Sequence, residues 1–128
     1  MLKLYFDGGC SPNPGNMEMA VISHDGSVAA HVDNLGWGTN NEAEWWGLIN
    51  AVSIAIDANQ PVTIYGDSLL VISQAKGEWK CKKDNLKKML EKYKRVMDGA
   101  IYPITLEHVP RDRNLAGVFL EGVQKQRG

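Results

Sequence analysis

Leu2, Leu4 and Phe6 alternate with Lys3 and Tyr5, a strand pattern that begins almost at the N-terminus. The run delivers Asp7 into Gly8-Gly9, followed by Pro12-Asn13-Pro14-Gly15, a turn sequence expected to end the strand. Met19–Ser23 and Val28–Val32 are two further short strands, joined by His24-Asp25-Gly26-Ser27, an Asp-Gly hairpin signal. Leu35–Gly38 is a weaker run because it holds two glycines. The chain therefore opens as an antiparallel meander. Thr39-Asn40-Asn41 then offers capping side chains, Glu42 and Glu44 suit a first helical turn, and Ala43, Trp46, Leu48, Ile49, Ala51, Ile54 and Ala55 repeat at helical spacing to about Ala58. Gln60-Pro61 ends this helix, and Val62–Tyr65 reads as a strand, so a parallel crossover is implied. Leu69–Ala75 is a second helix, interrupted at Gly77-Glu78-Trp79. Asn85–Met97 is a third, with Leu86, Met89, Leu90, Tyr93 and Met97 on one face. Ile104–Val109 is a fifth strand, and Asn114 can cap a last helix over Leu115–Gln126. The fold class expected is α/β: a five-stranded mixed sheet with helices on both faces, residues 1–128 forming one domain.

With 128 residues the chain can bury a core that needs no disulfides. Cys10 and Cys81 lack metal-site spacing and read as reduced thiols, and no leader or membrane-length apolar run is apparent. A cytoplasmic monomer with no membrane partner is the expectation. Charge changes the picture more. The net charge of −1 hides a segment, Lys76–Arg95, that holds nine of fourteen basic residues and three of fifteen acids, or +6; the remainder carries five and twelve, or −7. A basic element on an acidic body fits local contact with a polyanion, and equally a solvated helix face with i,i+4 pairs.

Three acids occupy comparable places. Asp7 ends the first strand, Glu44 lies in the first turn after a cap, and Asp67 ends the strand after the crossover. In an α/β sheet such positions converge on one edge. Carboxylates brought together there repel unless divalent cations neutralise them, and an all-oxygen set suits Mg²⁺ or Mn²⁺ over zinc. Hard cations among carboxylates commonly serve phosphate chemistry, where two ions activate water and stabilise the leaving oxygen.

Four blocks carry a resemblance: Phe6-Asp7-Gly8-Gly9-Cys10 through Pro12-Asn13-Pro14-Gly15; Thr39-Asn40-Asn41-Glu42-Ala43-Glu44; Gly66-Asp67-Ser68-Leu69-Leu70-Val71; and Val109-Pro110-Arg111-Asp112-Arg113-Asn114. In their order and spacing the chain resembles the type 1 ribonucleases H, and Gly77-Glu78-Trp79-Lys80 with Asn85-Leu86 resembles the compact members that lack an inserted basic helix. The resemblance implies a ribonuclease H-like fold and endonucleolytic, divalent-metal-dependent hydrolysis of the RNA strand of RNA–DNA hybrids, leaving 5′-phosphate and 3′-hydroxyl ends. It implies two ions, Mg²⁺ or Mn²⁺, per site with substrate, with Asp7, Glu44 and Asp67 as ligands and Asp7 bridging. Asn13, Thr39 and Asn40 are implied near the DNA phosphate, Asn41 near the minor-groove edge, and the backbone of Gly8, Gly9 and Cys10, with Glu44, near RNA 2′-hydroxyls. The 2′-OH is the group that distinguishes RNA from DNA. In compact members the lysine-rich segment, with Lys80 and Lys82, would face nucleic acid.

The chain departs from the family at the fourth acid, normally the Asp of Asn-x-x-Ala-Asp. Counting from Asn114 places Val118 there, and valine binds no metal. Glu121, one helical turn on, is the best substitute as a catalytic ligand, with Asp112 and Asn114 as loop-side alternatives. The alternative function is a module that binds hybrids or double-stranded RNA with weak or no cleavage. No equivalent of the family's loop histidine is present; His108 reads as a satisfied strand residue. One of Trp45 and Trp46 is expected in the core and Trp37 is expected to be structural, while Trp79 either packs on a DNA deoxyribose or caps the basic helix.

Overall fold

A computed structural model of the chain describes residues 1–127. Strands β1 (Leu2–Cys10), β2 (Gly15–Ser23), β3 (Val28–Val32) and β4 (Trp37–Gly38) precede helix α1 (Asn40–Asp57). Strand β5 (Val62–Gly66), helices α2 (Leu69–Ala75) and α3 (Asp84–Met97), strand β6 (Ile104–His108), a 3₁₀ turn (Arg111–Arg113) and helix α4 (Leu115–Arg127) complete it. The sheet runs β3-β2-β1-β5-β6, with β4 pairing β2. Strands β1 and β2 are antiparallel, whereas β1 with β5 and β5 with β6 are parallel. The α/β mixed sheet agrees with expectation, but it has six strands. The additional one is the two-residue β4, whose Gly38 and Trp37 pair with Gly15 and Asn16.

A second correction concerns β1, which does not stop at Asp7. It runs on through Gly8, Gly9 and Cys10, opposite Met19, Glu18 and Met17. Two glycines in sequence read as a breaker, yet here they serve close approach. A Cβ on Gly8 would collide with the Ala43 carbonyl, so this glycine lets the start of α1 lie directly on the strand. The turn falls at Ser11–Pro14 instead.

Alternation along β1 and β5 divides the interior in two. Leu4, Phe6, Ile64 and Val62 face one side, where they pack with Trp45, Leu48, Val52, Leu86, Met89 and Tyr93 of α1 and α3. Tyr5, Ala20 and Ile22 face the other, against Ala116 and Leu120 of α4. Helices thus cover both faces. The far end of α4 is fastened to β2 by the buried Glu18, which accepts from Gln124 Nε2 at 2.7 Å and pairs with Arg127 Nη1 at 3.0 Å.

Candidate active site

The period of two that builds the core also aims two acids. Tyr5 and Tyr65 stack with ring centroids 5.0 Å apart on the α4 face. Two residues further along each strand, Asp7 and Asp67 turn to that same face. Parallel pairing of β1 with β5 ends at Tyr5↔Tyr65, so both acids lie just past the point where the strands part. Helix α1 supplies the third. Thr39 caps it through a capping box, with Glu42 N–H donating to Thr39 Oγ1 and Thr39 N–H to Glu42 Oε1, each at 3.2 Å. That fixes the entry angle and brings Glu44 over β1, where Glu44 Oε1 accepts from Gly8 N–H at 2.7 Å.

Carboxylate oxygens of Asp7, Glu44 and Asp67 consequently lie within 4.8 Å of one another. Glu44 is 9 % exposed. Burial, the Asp7 charge and a shared hydrogen bond with Asp7 push the Glu44 carboxyl well above the usual carboxylate range. Burial, together with the Asp67 charge, pushes Asp7 up to about 6. Among the described residues none of the three forms a salt bridge. Like charges held this close without a salt bridge are the donor set a hard divalent cation fits, and the absence of Cys and His from the cluster disfavours zinc.

Asn114 holds the arrangement. It is fully buried, and its Nδ2 donates to Phe6 O at 2.9 Å and to Asp67 Oδ2 at 3.1 Å, while its Oδ1 accepts from Ala116 N–H at 3.1 Å. One side chain ties β1, Asp67 and the start of α4 together. The expected cap is present, but a donor facing Asp67 is not a metal ligand. His108 Nε2 lies 3.2 Å from the Asp67 carbonyl, so its ring is occupied in the strand as expected.

The position of the family's fourth acid, Val118 by the count from Asn114, carries no ligand. Val118 is 55 % exposed and does not line the cleft. The residue facing the acids is Gly117: a Cβ there would sit 3.4 Å from Asp7 Oδ2 and 3.6 Å from Asp67 Oδ2. The position of the motif's acid is thus taken by an outward valine, and the small residue before it, Gly117, lies against Asp7 and Asp67. Gly117, Leu120, Glu121 and Gln124 follow helical spacing and line a cleft of about 380 Å³ with Asp7–Ser11, Asn40, Asn41, Glu44 and Arg111. Glu121 is therefore at the cleft, exposed; Asp112 is not.

A second hollow joins Asn13, Thr39, Asn40 and Asn41 to Lys83, Asn85 and Leu86 at the start of α3. Asn13 Oδ1 accepts from Asn40 N–H at 3.1 Å, and Asn40 Oδ1 from Cys10 N–H at 2.9 Å. These bonds use the amide oxygens and leave the NH₂ donors without a protein partner among the described residues. They also consume the Cys10 N–H, as Glu44 consumes that of Gly8, so neither N–H is open to a ligand. Trp79, Lys80 and Lys82 lie exposed on the α2–α3 connection, outside both hollows. Trp45 fills the core as expected. Trp37 does not: it is 73 % exposed on β4, because its neighbour Gly38 takes the inward place against Met17. Arg111, Asn85 and Gln124 were not marked as site residues by their local sequence; only the packing of the 3₁₀ turn, α3 and α4 around the two hollows reveals them.

Comparison with known proteins adds a family. Residues 5–117 match the model of a family described as reverse transcriptase-like. Ribonuclease HI of Halobacterium salinarum is 33% identical over 114 residues, which is 86% of this chain and 57% of that protein. The N-terminal RNase H domain of Rv2228c from Mycobacterium tuberculosis superposes with a TM-score of 0.77 at 30% identity, covering 99% of this chain and 98% of that one. LC11-RNase H1, solved in complex with an RNA/DNA hybrid, gives 0.82 at 25% identity over 100% of both chains. The chain spans less than two thirds of the length of the curated relatives it matches, 57% of one and 31% of others.

Proposed function

The chain belongs to the ribonuclease H family, and from that premise we propose that it hydrolyses the RNA strand of RNA–DNA hybrids. The observation that carries the reading is the trio Asp7, Glu44 and Asp67, gathered within 4.8 Å and forming no salt bridge among the described residues, beside an amide-rich hollow and a lysine-rich helix. Asp7, Glu44 and Asp67 would hold divalent cations, Mg²⁺ or Mn²⁺, with Asp7 shared between two. When bound, such ions neutralise charge developing on a phosphate and lower the pKa of water.

The protein's own groups do the rest. Asn114 fixes Asp67 by its Nδ2 bond and so sets one wall of the site. Gly8 N–H orients Glu44. The free NH₂ donors of Asn13 and Asn40, with Lys83 and Asn85, suit a phosphate of the DNA strand, and Asn41 suits the minor-groove edge. Thr39 lines this hollow, although its hydroxyl is engaged in the cap. The Gly8–Cys10 stretch and Glu44 face the RNA strand, where the 2′-hydroxyls lie in a wide, shallow groove. Lys80, Lys82 and Trp79 extend the contact along the DNA backbone. Arg111, at the cleft and close enough to oppose the upward shift of Asp7, holds positive charge beside the phosphate to be cut.

A labelled hybrid incubated with Mg²⁺ or Mn²⁺ tests the reading. Cleavage with 5′-phosphate and 3′-hydroxyl ends is expected, abolished by Asp67→Asn with hybrid binding retained. Val118, standing where the family carries its fourth acid, favours a second reading, a binding module for hybrids or double-stranded RNA. No turnover in either metal, with binding intact, would establish it and reject the enzyme.

A further inference from the structure

We infer that Gln124 of α4 is a specificity-determining residue whose amide oxygen accepts a hydrogen bond from a 2′-hydroxyl of the RNA strand. The buried Glu18 is the positioning residue that fixes which way this amide faces. The inference rests on the hybrid reading above and names a group that does the reading. Glu18 is 5 % exposed, and both of its oxygens are engaged: Oε1 accepts from Gln124 Nε2 at 2.7 Å, and Oε2 from Arg127 Nη1 at 3.0 Å. A carboxylate paired with arginine only accepts, so the NH₂ end of Gln124 must be the end turned to it. The Gln124 oxygen is left free, without a protein partner among the described residues.

Strand register places this pair beside the acids. Asp7 lies opposite Ala20 and Gly9 opposite Glu18, so Glu18 sits two residues, ~7 Å, beyond the Asp7 rung. Ala20 packs on α4, and Glu18, two residues away, turns to the same face. The strand surface between them is open, since a Cβ on Gly9 would meet only Asn40 Oδ1, at 3.6 Å. A hollow of about 470 Å³ lined by Ser11, Asn16, Glu18, Gln124 and Arg127 continues the acid cleft and shares Ser11 and Gln124 with it. Gln124 therefore stands at the junction of the two. Telling RNA from DNA requires groups that meet the 2′-hydroxyl, which both donates and accepts. The N–H groups of Gly8 and Cys10 are bonded within the protein, and Glu44 is turned to Gly8 and the acids. The Gln124 oxygen is a free acceptor in this cleft whose orientation a buried partner already sets, so little order is lost on binding.

A cycle between protein and substrate tests the inference on the whole chain. Hybrids carrying a single 2′-deoxynucleotide are compared with the all-RNA hybrid, the substitution being moved along the RNA strand. At one position beside the cut, removing the hydroxyl should lower kcat/KM of the wild type by about three- to tenfold. A 2′-fluoro group there should behave as the deoxy does, because it offers no proton. Gln124→Leu should lose the same factor on the all-RNA hybrid and lose nothing further with the deoxy at that position. Glu18→Gln, which can donate as well as accept, should release the amide and give part of that loss at that position alone. Circular dichroism on both variants checks that they fold. A folded Gln124→Leu that cuts the all-RNA hybrid as the wild type does would overturn the inference. So would one whose loss adds to that of the deoxy at every position, since Gln124 would then serve only packing. If the wild type binds the hybrid but does not cut it, the hydrolytic reading fails, and the same cycle run on affinities by fluorescence anisotropy still decides the role of Gln124. Wild type that neither cuts nor binds the hybrid would reject both.

Discussion

At the scale of single residues, the site is held in a state the apoprotein pays for in stability. Asp7 keeps its proton up to about 6, against 3.8 ordinarily, so between those values the folded protein binds more protons than the unfolded chain. Stability without metal therefore falls as pH rises through that window, and Glu44, shifted in the same direction, extends the fall upward. Asp7→Asn should consequently raise the thermal midpoint of the metal-free protein at pH 7.5, by the equivalent of about 1–2 kcal/mol, while abolishing cleavage. Thermal unfolding with and without Mg²⁺ checks it: wild type gains stability from the ion and the variant does not. Protons and cations compete for the same oxygens, so the Mg²⁺-dependent rise in midpoint should vanish near pH 5 and be complete by about pH 8. Equal stabilisation at both pH values would remove Asp7 from the ligand set. The three acids were legible in the sequence because each follows a recognisable local signal, a strand or a cap. The packing of α4 on the acids was not: only the phase of the helix lays Gly117 against Asp7 and Asp67 while the next residue, Val118, turns outward.

At the scale of elements, most of the chain was readable because its periodicities are local. Helix α3 shows this best. Leu86, Met89 and Tyr93 are buried, and its lysines are exposed, as its amphipathic pattern required. The misreadings fall where a long-range contact overrides local preference. Gly8 and Gly9 resemble a turn until α1 is laid across them, and β4 exists only because Gly15 and Asn16 of β2 lie opposite. Gly8→Ala should then displace the start of α1, lowering stability by about 3 kcal/mol or more and separating Glu44 from Asp7. Denaturant unfolding and Mn²⁺ affinity would both register it; a variant with neither change would mean the helix sits elsewhere. For α3 the expected property is electrostatic. Lys82, Lys83, Lys87 and Lys88 are exposed near or on this helix, and each that meets a phosphate contributes about 0.9 to the slope of log affinity against log salt. Replacing all four by alanine should lower that slope by about 2–4 in a fluorescence anisotropy titration of a hybrid.

At the scale of the whole molecule, the charge asymmetry becomes a division of labour across one surface. The segment with a net +6 enters the amide hollow through Lys83 and Asn85, α4 enters the acid cleft through Gly117, Leu120, Glu121 and Gln124, and Asn40 and Asn41 line both. A duplex laid across them places one strand on donors and cations that recognise phosphate alone. The other strand lies over the acids, where the 2′-hydroxyl matters. The two halves should therefore be separable by substrate. A DNA duplex matching the hybrid in sequence satisfies the phosphate side and fails at the acid side, so it should inhibit hybrid cleavage competitively yet yield no product. Inhibition should weaken steeply as salt is raised, and replacing the four lysines should weaken it as much as it weakens hybrid binding, because both duplexes use the same contacts. Gln124→Leu, in the acid cleft, should leave the inhibition constant of the DNA duplex unchanged while it lowers hybrid turnover. Steady-state kinetics with the DNA duplex as inhibitor measures all three quantities. A DNA duplex that fails to compete, or one whose inhibition follows Gln124 and ignores the lysines, would show that binding and cutting are not divided between these two sides.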